Sequence, residues 1–179
     1  MKHVNVQNGK LWGMSQKNEV IARADLLNLE LAQPPIIDEN IIKRKNIRKL
    51  YVDKDGVHCI LMSEHELFYC NWNDNHIYQI NTNVQDSASG RGFAGPRGFR
   101  SIEIFHEDGD QNCFEILLGT KDGQIYHTAM EYSDGSLEVF EHLSSVIELP
   151  EAKEVLDIKI ASFADDEKVV LAVTETTLY

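Results

Sequence analysis

The chain has 179 residues and a net charge of −12, from 17 basic against 29 acidic side chains, with 42% hydrophobic and 26% charged residues. That composition supports one hydrophobic core and lies outside the range that forces disorder. The acidic surplus leaves no broad basic face for a phosphate backbone, and the same sign opposes adhesion to an anionic membrane surface.

The N-terminal MKHVNVQNGK carries charge but neither an apolar core nor a small-residue cleavage site, so no secretory signal is read there. Two runs follow in KLWGMSQKNEVIARADL. From Ile47 the chain gives YVDKDG, VHCILMSE and HELFYCNW, and from Phe99 it gives FHEDGD, NCFEILLGT and KDGQIYHTAM. From Val155 it gives SFADDE, KVVLAVTE and TTLY. Each of the three stretches opens on the same apolar spacing: Ile47, Leu50, Val52; Phe99, Ile102, Ile104; Val155, Ile158, Ile160. Met14-Ser15 stands 48 residues before Met62-Ser63, which brings the N-terminal segment into the same repeat.

The short runs alternate sides and favour Val, Ile, Phe and Tyr, which predicts strands of about five to eight residues. Asp-Gly pairs at Asp55, Asp108, Asp122 and Asp134 fall between the runs, where glycine supplies the positive φ of a tight hairpin. Units of about 50 residues with three or four antiparallel strands are the pattern of propeller blades. The expected fold is therefore all-β: a partial β-propeller of about three to four blades, over residues 1–45, 46–97, 98–153 and an incomplete 154–179. Propellers have about four to eight blades, so the chain reads as a fragment of a larger ring with two apolar blade faces left exposed, and it is not expected to fold well in isolation.

No apolar stretch approaches the roughly 18 residues of a membrane-spanning helix. Cys59, Cys70 and Cys113 are odd in number, and the sequence has no Asn-X-Ser/Thr acceptor. Both suit a reducing compartment, and a cytosolic location is expected.

Several clusters invite a chemical reading. Residues 90–95, GRGFAG, match the dinucleotide fingerprint G-x-G-x-x-G, but NTNVQDSAS precedes them and Pro96 follows, where a strand and a helix are needed. They read as a flexible inter-blade loop, with Arg91 and Arg97 available to an acidic partner. His58, Cys59, His65, Cys70 and His76 are zinc-type ligands, yet neighbouring strand residues such as His58 and Cys59 point to opposite faces. The cysteines read as small hydrophobes of adjacent strands, and the histidines as surface or turn residues. Glu107, Asp108 and Asp110, like Asp165, Asp166 and Glu167, crowd polar turns where water keeps carboxylates ordinary. Phe68, Tyr69, Trp72, Tyr78, Tyr126 and Tyr179 recur by unit and read as inter-blade packing, with Trp12 and Trp72 held as exceptions. No catalytic, cofactor-binding or metal residue is assigned, and no cofactor is expected.

Four segments, HVNVQNGKLWGMSQKNEVIARADL, IRKLYVDKDGVHCILMSEHELFYCN, FEILLGTKDGQIYHTAM and VLAVTETTLY, taken in order resemble the N-terminal propeller of the deep-orange family, vacuolar protein sorting-associated protein 18. Arg23-Ala24-Asp25-Leu26 resembles the family's Arg-x-Asp-Leu turn, and residues 47–60 its strand, Asp-x-x-Gly and His. Residues 117–120 and 123–126 resemble its Gly-Thr strand end and Gly-x-Ile-aromatic. Residues 99–105 lack the tryptophan usual there, and the family's α-solenoid and RING zinc domain have no counterpart in these 179 residues. The resemblance implies a non-enzymatic scaffold in a HOPS- or CORVET-like tethering complex, peripheral on late endosomes, lysosomes or vacuoles. Its implied partners are other tethering subunits, with Rab and SNARE proteins and the membrane reached indirectly. The alternatives are a propeller scaffold of another coat or adaptor system, or an enzyme with its site in a missing part of the ring.

Overall fold

A computed structural model describes residues 3–15, 21–28, 36, 46–85, 92–93, 98–106, 112–151, 153–162 and 168–179. Regular structure among them is strand throughout, and the chain divides into two compact units, Met1–Asn81 and Thr82–Tyr179.

The first unit holds two antiparallel sheets. Strands β1 (His3–Gln7), β2 (Lys10–Met14) and β3 (Ile21–Asp25) form one in sequence order, and Ile36 bridges Ile21 at the outer side of β3. Asn8 and Gly9 join β1 to β2 with φ of 45° and 74°, the two left-handed residues of a type I′ hairpin. The second sheet runs β4 (Lys49–Val52), β5 (His58–Met62), β6 (Leu67–Asn71) and β7 (Tyr78–Ile80). Period-two alternation puts Trp12, Met14 and Ile21 on one face of the first sheet and Leu50, Cys59, Leu61, Phe68 and Cys70 on one face of the second. These residues form a single buried cluster. Every residue of β5 and β6 is buried, which is why HCILM and LFYCN read as near-continuous apolar runs.

The Asp55-Gly56 turn seats on the first sheet. Gly56 has φ +72°, and a Cβ there would lie 2.7 Å from the Gln7 carbonyl oxygen and 2.9 Å from Lys10 Cβ. Only glycine allows this approach. It lets Trp12 Nε1 donate to the Gly56 carbonyl at 3.0 Å and Lys10 Nζ to the Asp55 carbonyl at 3.1 Å.

The second unit opens with a short pair, β8 (Val84–Gln85) and β9 (Gly92–Phe93), inside the stretch expected to be a loop. Residues 86–91 and 94–97, with most of the GRGFAG motif, lie outside the described residues. A four-stranded antiparallel meander follows: β10 (Phe99–Phe105), β11 (Cys113–Thr120), β12 (Gln124–Ser133) and β13 (Ser136–Glu148). Strands β14 (Asp157–Ser162) and β15 (Lys168–Val173) pair next, and Leu178 bridges Val173 beyond them. Leu117, Ile125, Leu149, Val155, Ile158 and Ala172 make the core between these two sheets. Gly119 sets their approach, since a Cβ there would meet Ser101 Oγ at 2.5 Å and Val155 Cγ1 at 2.6 Å. Ser101 Oγ donates to the Val155 carbonyl at 2.8 Å, and Val155 N donates to the Thr120 carbonyl at 3.0 Å.

Two strands exceed the expected length: β12 has 10 residues and β13 has 13. Asp134 and Gly135, with φ of 50° and 75°, turn this hairpin, and its register shifts three times. The shifts insert extra residues in β13, one of them Val146, and exposed Glu138, Glu141 and Glu148 lie along the strand. Bulges and charge are the usual devices that keep a long edge from pairing with a stranger.

One local device recurs at the end of the second strand of three sheets. Ser63 Oγ accepts from Glu66 N at 2.9 Å, Thr120 Oγ1 from Gln124 N at 3.2 Å and Thr174 Oγ1 from Thr177 N at 3.2 Å. A hydroxyl in that place satisfies turn donors that the ladder cannot reach.

Candidate functional site

The most elaborate polar arrangement of the first unit centres on Arg23 of β3. Its neighbours Ala22 and Ala24 point to the other side of the strand, so the long side chain crosses toward the second sheet. There Nη1 donates to the carbonyls of Asn71 at 3.2 Å, Trp72 at 2.6 Å and Asp74 at 2.7 Å, and Nη2 to Asn75 Oδ1 at 2.5 Å. The residue is only 3% exposed, and its guanidinium carbon stands 5.9 Å from the Trp12 ring centroid. Burial pulls its pKa below the ordinary guanidinium value, while the negative charge of Asp74 pulls it back. A planar fork with several fixed donors suits this carbonyl cluster where an ammonium would not.

The next residues of the same motif shape the turn after β3. Asp25 Oδ1 accepts from Leu27 N at 2.9 Å and Asn28 N at 3.0 Å, and Leu26 N donates to the Gly9 carbonyl at 2.7 Å. The Arg-x-Asp-Leu signature is thus a strap: arginine grips the second sheet and aspartate closes its own turn.

Trp12 and Trp72 belong to this contact as well. Their rings meet edge to face at 5.6 Å, and Lys10 Nζ lies 5.6 Å from the Trp72 centroid. Both indoles are buried, so neither is an exception to packing; the stacked sheets need their area in the core. Phe68 and Tyr69 are also fully buried. Tyr78 is half-buried and donates to Asp74 Oδ2 at 2.6 Å, and Tyr126 is half-buried and donates to Gln124 Oε1 at 2.9 Å. Tyr179 packs partly buried against the core of the second unit.

The five residues weighed as zinc ligands do not converge. Cys59 and Cys70 are direct partners across β5 and β6, free and fully buried, while His58 points to the opposite face. Burial pushes both thiols well above the ordinary value, so they stay neutral and behave as hydrophobes. His65 is exposed in the turn after β5, and His76 is exposed with Nδ1 2.8 Å from Asp74 Oδ1. His58 departs from the expected surface role, being 1% exposed. Its Nδ1 lies 2.8 Å from Tyr69 Oη, which also accepts from Asn71 Nδ2 at 2.9 Å, and its backbone N donates to Asp53 Oδ1 at 2.8 Å. A polar side chain survives burial when its atoms are matched in this way.

The acidic groups 107, 108, 110 and 165–167 lie outside the described residues. Sequence reasoning missed His127, whose Nε2 contacts Glu115 and whose Nδ1 lies 3.4 Å from Glu141 Oε2. The three sit on adjacent strands through the register Glu115↔Ala129 and Ala129↔Glu141, a juxtaposition that linear spacing does not display.

Antiparallel meanders of up to four strands, packed face to face through apolar residues and buried polar pins, define part of a β-propeller. The chain belongs to the Pep3/Vps18/deep orange family: the model of that family's beta-propeller domain matches residues 1–179. It is 29% identical over 140 residues to vacuolar sorting protein 18 of Arabidopsis thaliana, covering 75% of this chain and 13% of that protein's length. Among solved structures it resembles the WD40 domain of SCAP from fission yeast, with a TM-score of 0.63 at 12% identity over 98% of this chain and 40% of that one. The complex of the fission yeast SREBP–SCAP binding domains gives 0.58 at 11% identity, over 98% of this chain and 46% of that one. These likenesses establish the fold.

Proposed function

We propose that the chain is a non-enzymatic interaction scaffold within a vacuolar sorting complex, acting in a HOPS- or CORVET-like tether during vesicle docking and fusion. The observation that carries this reading is the family match over the whole of residues 1–179. The geometry supports it: among the described residues, Arg23, His58, Cys59 and Cys70 are buried within and between the sheets of the first unit and serve its packing. In this reading the sheets β1–β3, β4–β7, β10–β13 and β14–β15 are blades of units 1–45, 46–97, 98–153 and 154–179. They form a rigid platform for other tethering subunits. Contact with Rab and SNARE proteins and with late endosomal, lysosomal or vacuolar membranes is indirect, in keeping with a net charge of −12.

The test is mass spectrometry of proteins that co-purify with the endogenously tagged chain. Recovery of tethering-complex subunits is the expected result. Recovery of coat or adaptor proteins in their place would overturn the tethering role and leave the fold standing.

A further inference from the structure

We propose that Asn8-Gly9, the tip of the β1–β2 hairpin, is a self-modifying site: the Asn8 side-chain amide is lost by deamidation, and the isoaspartate that follows loosens the turn after β3. Of the asparagines in the sequence, only Asn8 precedes a glycine. Glycine has no Cβ to shield its amide nitrogen, which makes that nitrogen an open nucleophile. Asn8 is exposed, and among the described residues neither its side chain nor Gly9 N makes a hydrogen bond. The Asp-Gly turns differ. Gly56 is buried and its N donates to the Asp53 carbonyl at 3.1 Å, while Gly123 is buried and the Asp122 carboxylate accepts from Thr120 Oγ1. At these turns, and at Asp134-Gly135, the group facing the glycine nitrogen is a carboxylate, whose negative charge resists a nucleophile that an amide admits.

The step needs only water. Gly9 N gives up its proton and bonds to Asn8 Cγ, the bond from Cγ to the side-chain nitrogen breaks, and that nitrogen leaves with the proton as ammonia. The product is a five-membered succinimide. Water opens the ring at Cγ to give aspartate, or at the Asn8 backbone carbonyl carbon to give isoaspartate, whose chain runs on through Cβ and Cγ. The Asn8 and Gly9 φ values of 45° and 74° belong to the closed turn, so the ring forms when the hairpin end opens. That opening is local. Among the described residues β1 pairs with β2 alone, and its Val4 and Val6 are 54% and 46% exposed, so releasing the tip uncovers little apolar surface. Isoaspartate adds one backbone atom to a two-residue turn and displaces the Gly9 carbonyl. That carbonyl accepts from Leu26 N at 2.7 Å, and Gly9 lies so close to Leu27 that a Cβ there would stand 2.6 Å from Leu27 Cγ. The Arg-x-Asp-Leu turn is thus held by the residue that the rearrangement moves.

The experiment ages the tagged full-length polypeptide, purified from its own cells, in warm buffer of mildly alkaline pH. Each asparagine is followed by peptide mass spectrometry with electron-transfer fragmentation, which tells isoaspartate from aspartate. Exposed Asn28 and Asn73, followed by leucine and aspartate, are the internal controls. Residue 8 should convert at least about tenfold faster than either, the factor carried by roughly 1.4 kcal/mol of barrier. Hydrogen exchange reads the effect on the turn. Leu26 N should exchange about tenfold faster in the isoaspartate fraction than in fresh protein, whereas Asn8→Asp, which adds the charge but no backbone atom, should leave it unchanged. Equal conversion at residue 8 and at the controls would overturn the site. Isoaspartate with Leu26 exchange as in fresh protein, or the same acceleration in Asn8→Asp, would overturn the rerouted backbone as the cause of loosening.

Discussion

Replacing Arg23 by alanine should cost about 3–5 kcal/mol, the range for removing one partner of a buried charged contact. The side chain donates to three backbone carbonyls and one side-chain amide oxygen, at 2.5 to 3.2 Å. Bonds from a charged donor are worth roughly 1.5–3 kcal/mol each, but burying the guanidinium offsets part of that sum, and the bonds do not add. What alanine leaves behind is a set of carbonyls that lose their donor and a hole beside Trp12. Against a total stability of about 5–15 kcal/mol, the loss is enough to open the contact between the two sheets of the first unit. The assay is urea unfolding followed by tryptophan fluorescence. The chain's only two tryptophans, Trp12 and Trp72, meet edge to face in this contact, so the signal reports it directly. Arg23→Lys keeps the charge but lacks the planar fork, and should recover less than half of the loss. A change below about 0.5 kcal/mol for Arg23→Ala, the scale of an ordinary surface substitution, would refute the reasoning.

Gly119→Ala should destabilise the second unit by about 1–3 kcal/mol, because the new methyl meets Ser101 Oγ and Val155 Cγ1 well inside contact distance; a midpoint in urea equal to the parent's would count against the close approach. Iodoacetamide should label Cys113, which is half-buried, well before Cys59 and Cys70 under native conditions, with peptide mass spectrometry as the readout. The same two thiols make stability depend on alkaline pH. Their folded pKa values lie above the ordinary 9.0, so the folded chain holds protons that the unfolded chain releases. Stability is fully present below that value and falls as pH rises past it, by about 1.4 kcal/mol per unit per thiol, and Cys70→Ala should flatten the slope in unfolding curves compared at pH about 8 and about 10. Ser63→Ala removes the acceptor for His65 N and Glu66 N and should cost about 1 kcal/mol by thermal melting, with no change in co-purifying partners.

The strand pattern was legible because burying one or both faces of a sheet leaves a period of two, or a solid apolar run, in the sequence. Hence VHCILMSE and HELFYCNW announce β5 and β6, and the Asp-Gly pairs at 55, 122 and 134 announce turns where glycine takes positive φ. The Asn8-Gly9 hairpin carries an equally strong local signal that the apolar runs overshadowed. The length of β12 and β13 was not legible, since bulges absorb extra residues without disturbing composition.

The sequence by itself determined the all-β class, the repeat and the family, because these rest on local propensity and on the order of short motifs. The tertiary structure alone decided what the polar residues do. Arg23 lies 48 to 52 residues before the groups it binds, His58 is buried by virtue of a tyrosine on the neighbouring strand, and Glu115, His127 and Glu141 meet through strand register. A buried polar group is stable only beside its partner, and distance along the chain carries no record of which partner folding brings near.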